Sequence, residues 1–432
     1  MSGQSDRYAV IVGAGLSGSL MALYLARRGW RVDVYERRGD PRLASAEGRS
    51  INLGLSARGM RALAAVGLLD AVLARSVPMR GRYIHTGGPE LAYQPYGTRA
   101  GEVLYSILRA DLNRLLIDHA EAHPAVRFTF GQGLTALEPE KGIAYFQGGA
   151  TVHAPLIIGA DGANSAVRGQ LEQHGLTTTS ITVPDWGYKE LTIPPADDGS
   201  ARTPLEGLHV WPGGGHGLMV AHPNVENSFT ATLFLPEREL SRLDTREAVA
   251  GFLAAYYPDT LALMPDGVDE WLRHPVGHLI TVRTRPWHHK GVVLIGDAAH
   301  AVYPFYGQGM NSSFEDCLVL DQCLTRHAAD LPRALAEYER LRKRHTDVLA
   351  ELSERNFVEL RDKLRSPWFR LRKQVDLVLH RLLGPVWLPL YTMVSHRAVP
   401  YATARLRARL QELTLLTLLG LAVIALPLLL LR

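Results

Sequence analysis

From Tyr8 to Gly13 the apolar positions run almost unbroken (YAVIVG), a glycine turn follows, an amphipathic helical pattern continues to Arg28, and Gly29 stops it. A second apolar run, RVDVYE at residues 31–36, completes a strand–helix–strand unit. Strand–helix alternation then continues through Gly159. From Thr178 to Leu235 β-branched and aromatic residues dominate, with turn signals at Pro194-Pro195 and Gly213 to Gly217, which predicts an antiparallel sheet layer. A further apolar strand, GVVLIGD at residues 291–297, has to return to the first domain if the motif at its end is to work. Long charged helical patterns follow from Pro332 to Leu364 and beyond Trp368. The expected fold is α/β: a Rossmann-type dinucleotide domain in two pieces (1–177 and 286–330), an inserted antiparallel sheet domain (178–285), a helical region (331–410) and an apolar tail (411–432).

The tail changes the picture. Leu413 to Leu431 carry no charge and would extend about 28 Å as a helix, near the thickness of a bilayer core. Arg405, Arg407 and Arg409 precede this stretch and only Arg432 follows it, so a C-terminal membrane helix would leave the body on the cytoplasmic face. That means the inner membrane of a bacterium or the outer mitochondrial membrane of a eukaryote. Pro427 and the terminal Arg432 make the span marginal, which keeps a buried core helix or an amphipathic dimer helix as alternatives. The run at Tyr8 is too short for a secretory leader.

Composition excludes more than it proposes. With 47 Lys+Arg against 43 Asp+Glu and a pI near 9.0, the chain is mildly basic, but its arginines are spread out, so nucleic acid is not an expected partner. Cys317 and Cys323 fall on one predicted helix without a disulfide framework, which fits a reducing compartment. No His, Cys and carboxylate cluster has metal-ligand spacing, so no metal is expected.

The glycine turn carries chemistry. Gly13, Gly15 and Gly18 form G-x-G-x-x-G between a strand and a helix, with Leu16 and Ser17 inside the turn and Glu36, then Arg37, at the end of the next strand. Glycine there permits a tight turn and close approach of a pyrophosphate to the helix N-terminus, while Glu36 can accept from ribose hydroxyls. The fingerprint alone does not separate FAD from NAD. LIIGADGANSAVR at residues 156–168, with Asp161-Gly162, and VLIGDAAHAVYPFYGQGMN at 293–311, with Gly296-Asp297, resemble the DG and GD motifs of flavoprotein hydroxylases of the p-hydroxybenzoate hydroxylase kind. The resemblance implies that the nucleotide is FAD, with Asp297 on its ribityl chain and the backbone of Gly309, Met310 and Asn311 near the isoalloxazine ring. Asp297 can equally serve as a helix cap. No second dinucleotide fingerprint is present, so NADPH is expected to bind transiently, without a Rossmann domain of its own.

GRSINLGLS (48–56), PMRGRYIH (78–85), PYGT (95–98), YKELTIPP (188–195), SFTATLFLP (228–236), PFYGQGMNSSFED (304–316) and PLYTMV (389–394) look like the kynurenine 3-monooxygenase family along nearly the whole chain. That resemblance implies NADPH- and FAD-dependent hydroxylation of L-kynurenine to 3-hydroxykynurenine by O2 through a flavin hydroperoxide. Arg82 and Tyr96 would hold the substrate carboxylate, Asn356 and Tyr391 would complete the pocket, Phe234 and Leu218 would be apolar walls, and Arg109, Gly54 and Leu134 would touch the flavin. An ion-pair role for Arg82 and core roles for the two tyrosines are the plain alternatives. His222, in VAHPN, stands where the family usually has an apolar residue. His300, in GDAAH, invites an acid/base role that this chemistry does not need, because the ring amine already activates the neighbouring carbon. A related hydroxylase of a kynurenine-like or anthranilate-like aromatic is the runner-up, and a flavin-binding, redox-responsive membrane module is the non-enzyme alternative.

Overall fold

The computed structural model describes residues 7–43, 51–87, 90–97, 99, 101–363 and 366–430, without the side chains of 370, 418–420 and 422–430. Residues 48–50 and 98 of the family-like segments lie outside it. The expected strand–helix–strand unit forms from Tyr8–Val12, Leu16–Ala26 and Arg31–Glu36. Its first strand is buried almost throughout, as a parallel strand covered on both faces must be. Among the described residues the first sheet has the order His288–His289, Val292–Leu294, Leu156–Gly159, Tyr8–Val12, Arg31–Glu36, Val126–Phe130, and all but the first of these run parallel. The strand near residue 292 thus returns across more than a hundred residues to pair with Leu156–Gly159. It brings the Gly296-Asp297 turn back to the glycine turn, where a Cβ on Gly296 would lie 2.9 Å from Ser313 Oγ and 3.1 Å from Ser17 Oγ.

The second sheet departs from expectation. Its seven strands include Gly81–Ile84 and Ala92–Pro95, which the sequence pattern assigned to the first domain, and Gly81–Ile84 pairs parallel with Gly207–Pro212, so the sheet is mixed. The reason is burial: alternation leaves Ile84, Val210, Leu218 and Phe234 on one face, where they pack with Phe305 and Phe357. Trp211, Met219, Leu233 and Leu235 point to the other face, which is covered by Arg246–Tyr256 and Gly267–Arg273, two helices that the β-rich pattern did not reveal.

Leu331–Val358 is one long helix. Leu335, Tyr338, Arg342, Leu349 and Phe357 are buried along it at three- and four-residue steps or their multiples. The last helix, Tyr401–Leu430, packs its start (Tyr401, Ala402, Ala404) against this helix and holds Arg405 to Glu351, so it begins as part of the body. Among the described residues no helix is long and apolar enough to cross a membrane. The membrane helix expected over Leu413 to Leu431 is therefore not supported. Residues 431 and 432 and most side chains beyond 417 lie outside the described residues.

Candidate active site

The nucleotide groove is built where glycines leave room. Gly13 has φ +106°, and a Cβ on it would meet Ala160 O at 2.6 Å, while a Cβ on Gly18 would meet Gly13 O at 2.0 Å. Both are therefore fixed as glycine by close backbone packing at the turn and helix start. Gly15 and Gly54, in contrast, face open space, and a Cβ on Gly309 would touch only Val302 at 4.0 Å. These three stretches of bare backbone leave room for a bound group at the glycine turn, at the strand Asn52–Leu55 and at the start of Gly309–Arg326. Gly15 caps the helix Leu16–Ala26, whose first-turn N–H groups an anion can meet.

Glu36 is buried, and its Oε2 accepts from Ala14 N at 2.9 Å while Oε1 accepts from Arg38 N and Nε at 3.0 and 2.8 Å. Burial alone would raise its pKa, yet the Arg38 and Ala14 bonds hold the carboxyl below its usual range, so it is an anionic acceptor at neutral pH. Arg37, beside it, is exposed, Leu134 packs against the first core, and Leu16 is buried with Ser17 at its edge. Arg109 is exposed at the start of Arg109–Glu121.

Asp161 and Asp297 part company. Asp161 accepts from Ala166 N (2.6 Å), Val167 N (3.2 Å) and Ser165 Oγ (2.5 Å), so its carboxylate shapes the start of Ala166–Gln173. Asp297 makes no hydrogen bond or ion pair among the described residues, although it starts the turn Asp297–His300 beside the glycine loop. Half-buried and unpaired within the chain, its carboxylate is open to a donor from outside it. Asn311 donates to Gly54 O and Gly307 O, both at 2.8 Å, and accepts from Ser56 N at 2.9 Å, which fixes Gly54 opposite the start of Gly309–Arg326. Met310 is buried next to it.

Behind this groove lies a charge network that joins His300 and the end of the 304–316 segment to two arginines, Arg58 and Arg342, outside the quoted motifs. Arg342 donates to Asp316 at 2.6 Å and also to Glu315 and Ser312; Arg58 donates to Glu315 and to Val399 O. Asp316 Oδ2 accepts from Gly296 N at 2.9 Å and meets His300 Nε2 at 2.5 Å. Burial opposes ionisation of Asp316, but His300 and Arg342 more than offset it and lower its pKa. His300 therefore serves to lock the Gly296-Asp297 turn through Asp316. The sequence signal was a basic residue at a buried helical position, legible only once the helix face was known.

A cavity of about 1110 Å³ is lined by Arg82, Gln94, Tyr96, Tyr306, Asn356 and Tyr391 at one end and by helical residues such as Arg344 and Arg409 at the other. The Arg82 guanidinium carbon lies 5.6 Å from the Tyr96 ring centre and 5.7 Å from that of Tyr391, and the two rings stack at 5.3 Å. Arg82 has no carboxylate partner among the described residues, and its Nε is buried without an acceptor. The Gln94 Oε1 beside it in the sheet is likewise buried and unsatisfied; Gln94 was not anticipated from sequence. Burial pushes Tyr96 well above the usual phenol range and raises Tyr391, so both hydroxyls stay protonated. Asn356 Nδ2 donates to Phe305 O at 2.6 Å, tying the long helix to the loop after Asp297. Leu218 and Phe234 do not line this cavity; they pack in the apolar cluster next to it, with Phe234 4.7 Å from Phe305.

Comparison with known proteins gives the family and the fold. Residues 7–353 match the model of the FAD binding domain. The chain is 55% identical over 415 residues to "Kynurenine 3-monooxygenase" of Salinispora arenicola, covering 93% of this chain and 91% of that one. It is 40% identical over 410 residues to the protein of that name from Sus scrofa, covering 93% and 86%. Among solved structures, 2-methyl-3-hydroxypyridine-5-carboxylic acid oxygenase superposes with TM-score 0.70 at 22% identity over 84% of this chain and 95% of that one, which speaks for the fold alone. A groove of bare backbone for the nucleotide, an α/β fold with mixed sheets and a helical C-terminal part, and relatives of one name along nearly the full length lead to one assignment: the chain belongs to the kynurenine 3-monooxygenase family of FAD-dependent aromatic monooxygenases.

Proposed function

We propose that the protein hydroxylates the aromatic ring of L-kynurenine, giving 3-hydroxykynurenine, with NADPH and O2 as co-substrates. The observation that carries this is Arg82: a guanidinium without a counter-ion, flanked by two protonated phenols at the end of a cavity, is built to receive a carboxylate. When bound, FAD supplies the activated oxygen that the ring attacks.

The chain's own residues do the rest. Residues 1–177 and 286–330 hold the nucleotide, with Asp297 accepting from its polar chain and Glu36 from its ribose; residues 178–285 contribute the apolar cluster beside the cavity, and 331–410 close the pocket. Arg82, with Tyr96 and Tyr391 donating, fixes the amino-acid end, Asn356 keeps the long helix on the Phe305 loop, and the cluster of Leu218, Phe234, Phe305 and Phe357 excludes water. We further propose that the apolar stretch from Leu413 attaches the body to a membrane surface, since it carries no charge as far as Leu431. Substrate-stimulated NADPH oxidation, with the product identified, tests the activity: no response to kynurenine by flavin-loaded protein, with a response to an anthranilate-like ring instead, would replace this substrate.

A further inference from the structure

His222 lies on Leu218–Pro223, and strand alternation puts it on the same face as Leu218 and Val220, the face turned towards Phe305 and the long helix. Its neighbours across the sheet locate it further. Arg82 is registered against Leu208, and the pairing of His209 with Ala221 brings Leu208 beside His222. Gln94, Arg82, Leu208 and His222 therefore form one row on one face, continued by Thr230. Arg82 and His222 are two strand spacings apart, about 10 Å. An aryl ketone amino acid gripped by its carboxylate at Arg82 and extended along this row, rather than towards the helical end of the cavity, would bring its ring near His222, which lies outside the cavity's lining.

The imidazole has no hydrogen-bond partner among the described residues, although it is enclosed by the fold and not sealed from solvent. Desolvation lowers its pKa to about 4, so at neutral pH it is uncharged and offers one donor and one acceptor. In a row whose nearest same-face positions on its own strand are Leu218 and Val220, an apolar residue would satisfy packing. An imidazole there that makes no bond within the chain leaves a donor and an acceptor for water or a ligand. The strand end is also tied towards the nucleotide groove, because Asn52 Nδ2 donates to Pro223 O (3.2 Å) and Asn224 Oδ1 (2.6 Å), two residues before Gly54.

We infer that His222 is a specificity-determining residue that hydrogen-bonds the ring amine at the substrate's aromatic end, and so registers the ring while Arg82 holds the other end. This rests on the proposed kynurenine activity.

The test compares FAD-loaded wild type, His222→Leu and His222→Gln. Each is titrated with kynurenine and with its analogue lacking the ring amine, by flavin absorbance for affinity and by NADPH oxidation with hydrogen peroxide measured for coupling. In His222→Leu, kynurenine affinity should fall roughly three- to tenfold while the des-amino analogue is unaffected, and more peroxide should form per NADPH. His222→Gln, with a donor and an acceptor, should recover part of the discrimination. If His222→Leu loses its flavin, His222→Met carries the same comparison. Wild-type discrimination and coupling in the apolar variants overturn the inference and leave the activity standing. A flavin-loaded wild type that ignores kynurenine overturns the activity, and this inference with it.

Discussion

Replacing Arg82 with Met isolates the substrate-anchoring claim. Met keeps a flexible apolar stem of similar reach but removes the charge and the guanidinium donors. Truncating one side of a buried charge-assisted pair costs about 2–5 kcal/mol, which corresponds to a loss of kynurenine affinity of roughly thirty- to several-thousandfold. The structure adds a second, opposite expectation. Arg82 is half-buried, has no ion pair among the described residues and has a buried, unsatisfied Nε, so its removal takes away a charge that the protein does not itself neutralise. The unliganded variant should melt no lower than wild type, and its flavin content should be unchanged because the nucleotide groove is formed by other residues. Arg82→Lys, which keeps the charge but loses the planar fork, should lie between the two in affinity. The assay is NADPH oxidation titrated with kynurenine, alongside thermal unfolding and flavin content. An unchanged half-saturation point in Arg82→Met would remove this residue from the pocket. A lower affinity accompanied by a large drop in melting temperature would mean that Arg82 supports the fold, and the argument from its missing partner would be wrong.

Asp297→Ala should lower flavin retention about ten- to hundredfold, from the loss of one charge-assisted bond of roughly 1.5–3 kcal/mol; full occupancy at micromolar protein after dialysis would contradict its assignment. Arg342→Met leaves Asp316 and Glu315 with less compensation in the core and should destabilise by about 3–5 kcal/mol in denaturant unfolding, with Asp316→Asn, Arg342→Met together less than additive. Burial lowers His209, His222 and His396 to about 4, so the unfolded chain takes up protons first on acidification; stability is complete above pH 6.5 and falls between there and pH 4, by up to about 1.4 kcal/mol per pH unit for each histidine, and a flat denaturation midpoint from pH 7 to 5 would refute this. Deleting residues from 413 onward should move the protein from the membrane to the soluble fraction with activity retained; loss of activity in a folded body would make the tail part of the active domain.

The sequence by itself determined whatever depends on local spacing and on backbone room. G-x-G-x-x-G between an apolar strand and a helix is readable because Gly13 and Gly18 have no space for a side chain, and the buried first strand reads as a continuous apolar run. The resemblance of the flanking motifs carried Arg82, Tyr96, Asn356 and Tyr391, which the fold brings to one cavity from four separate segments. Tertiary structure alone decided the rest, because pairing partners are not written in local pattern. Gly81–Ile84 reads like any short strand of the first domain, yet its hydrogen bonds run to Gly207–Pro212, and that crossing sets Arg82 in the same row as His222. Arg342 and Asp316 look like ordinary helix charges until Leu331–Val358 packs against Gly309–Arg326 and removes both from water. The helix that leads into the apolar tail shows the same limit from the other side: hydropathy measures how apolar a stretch is, while the packing of its start, Tyr401 and Ala404, against the body is a contact between distant segments that only the folded chain reveals.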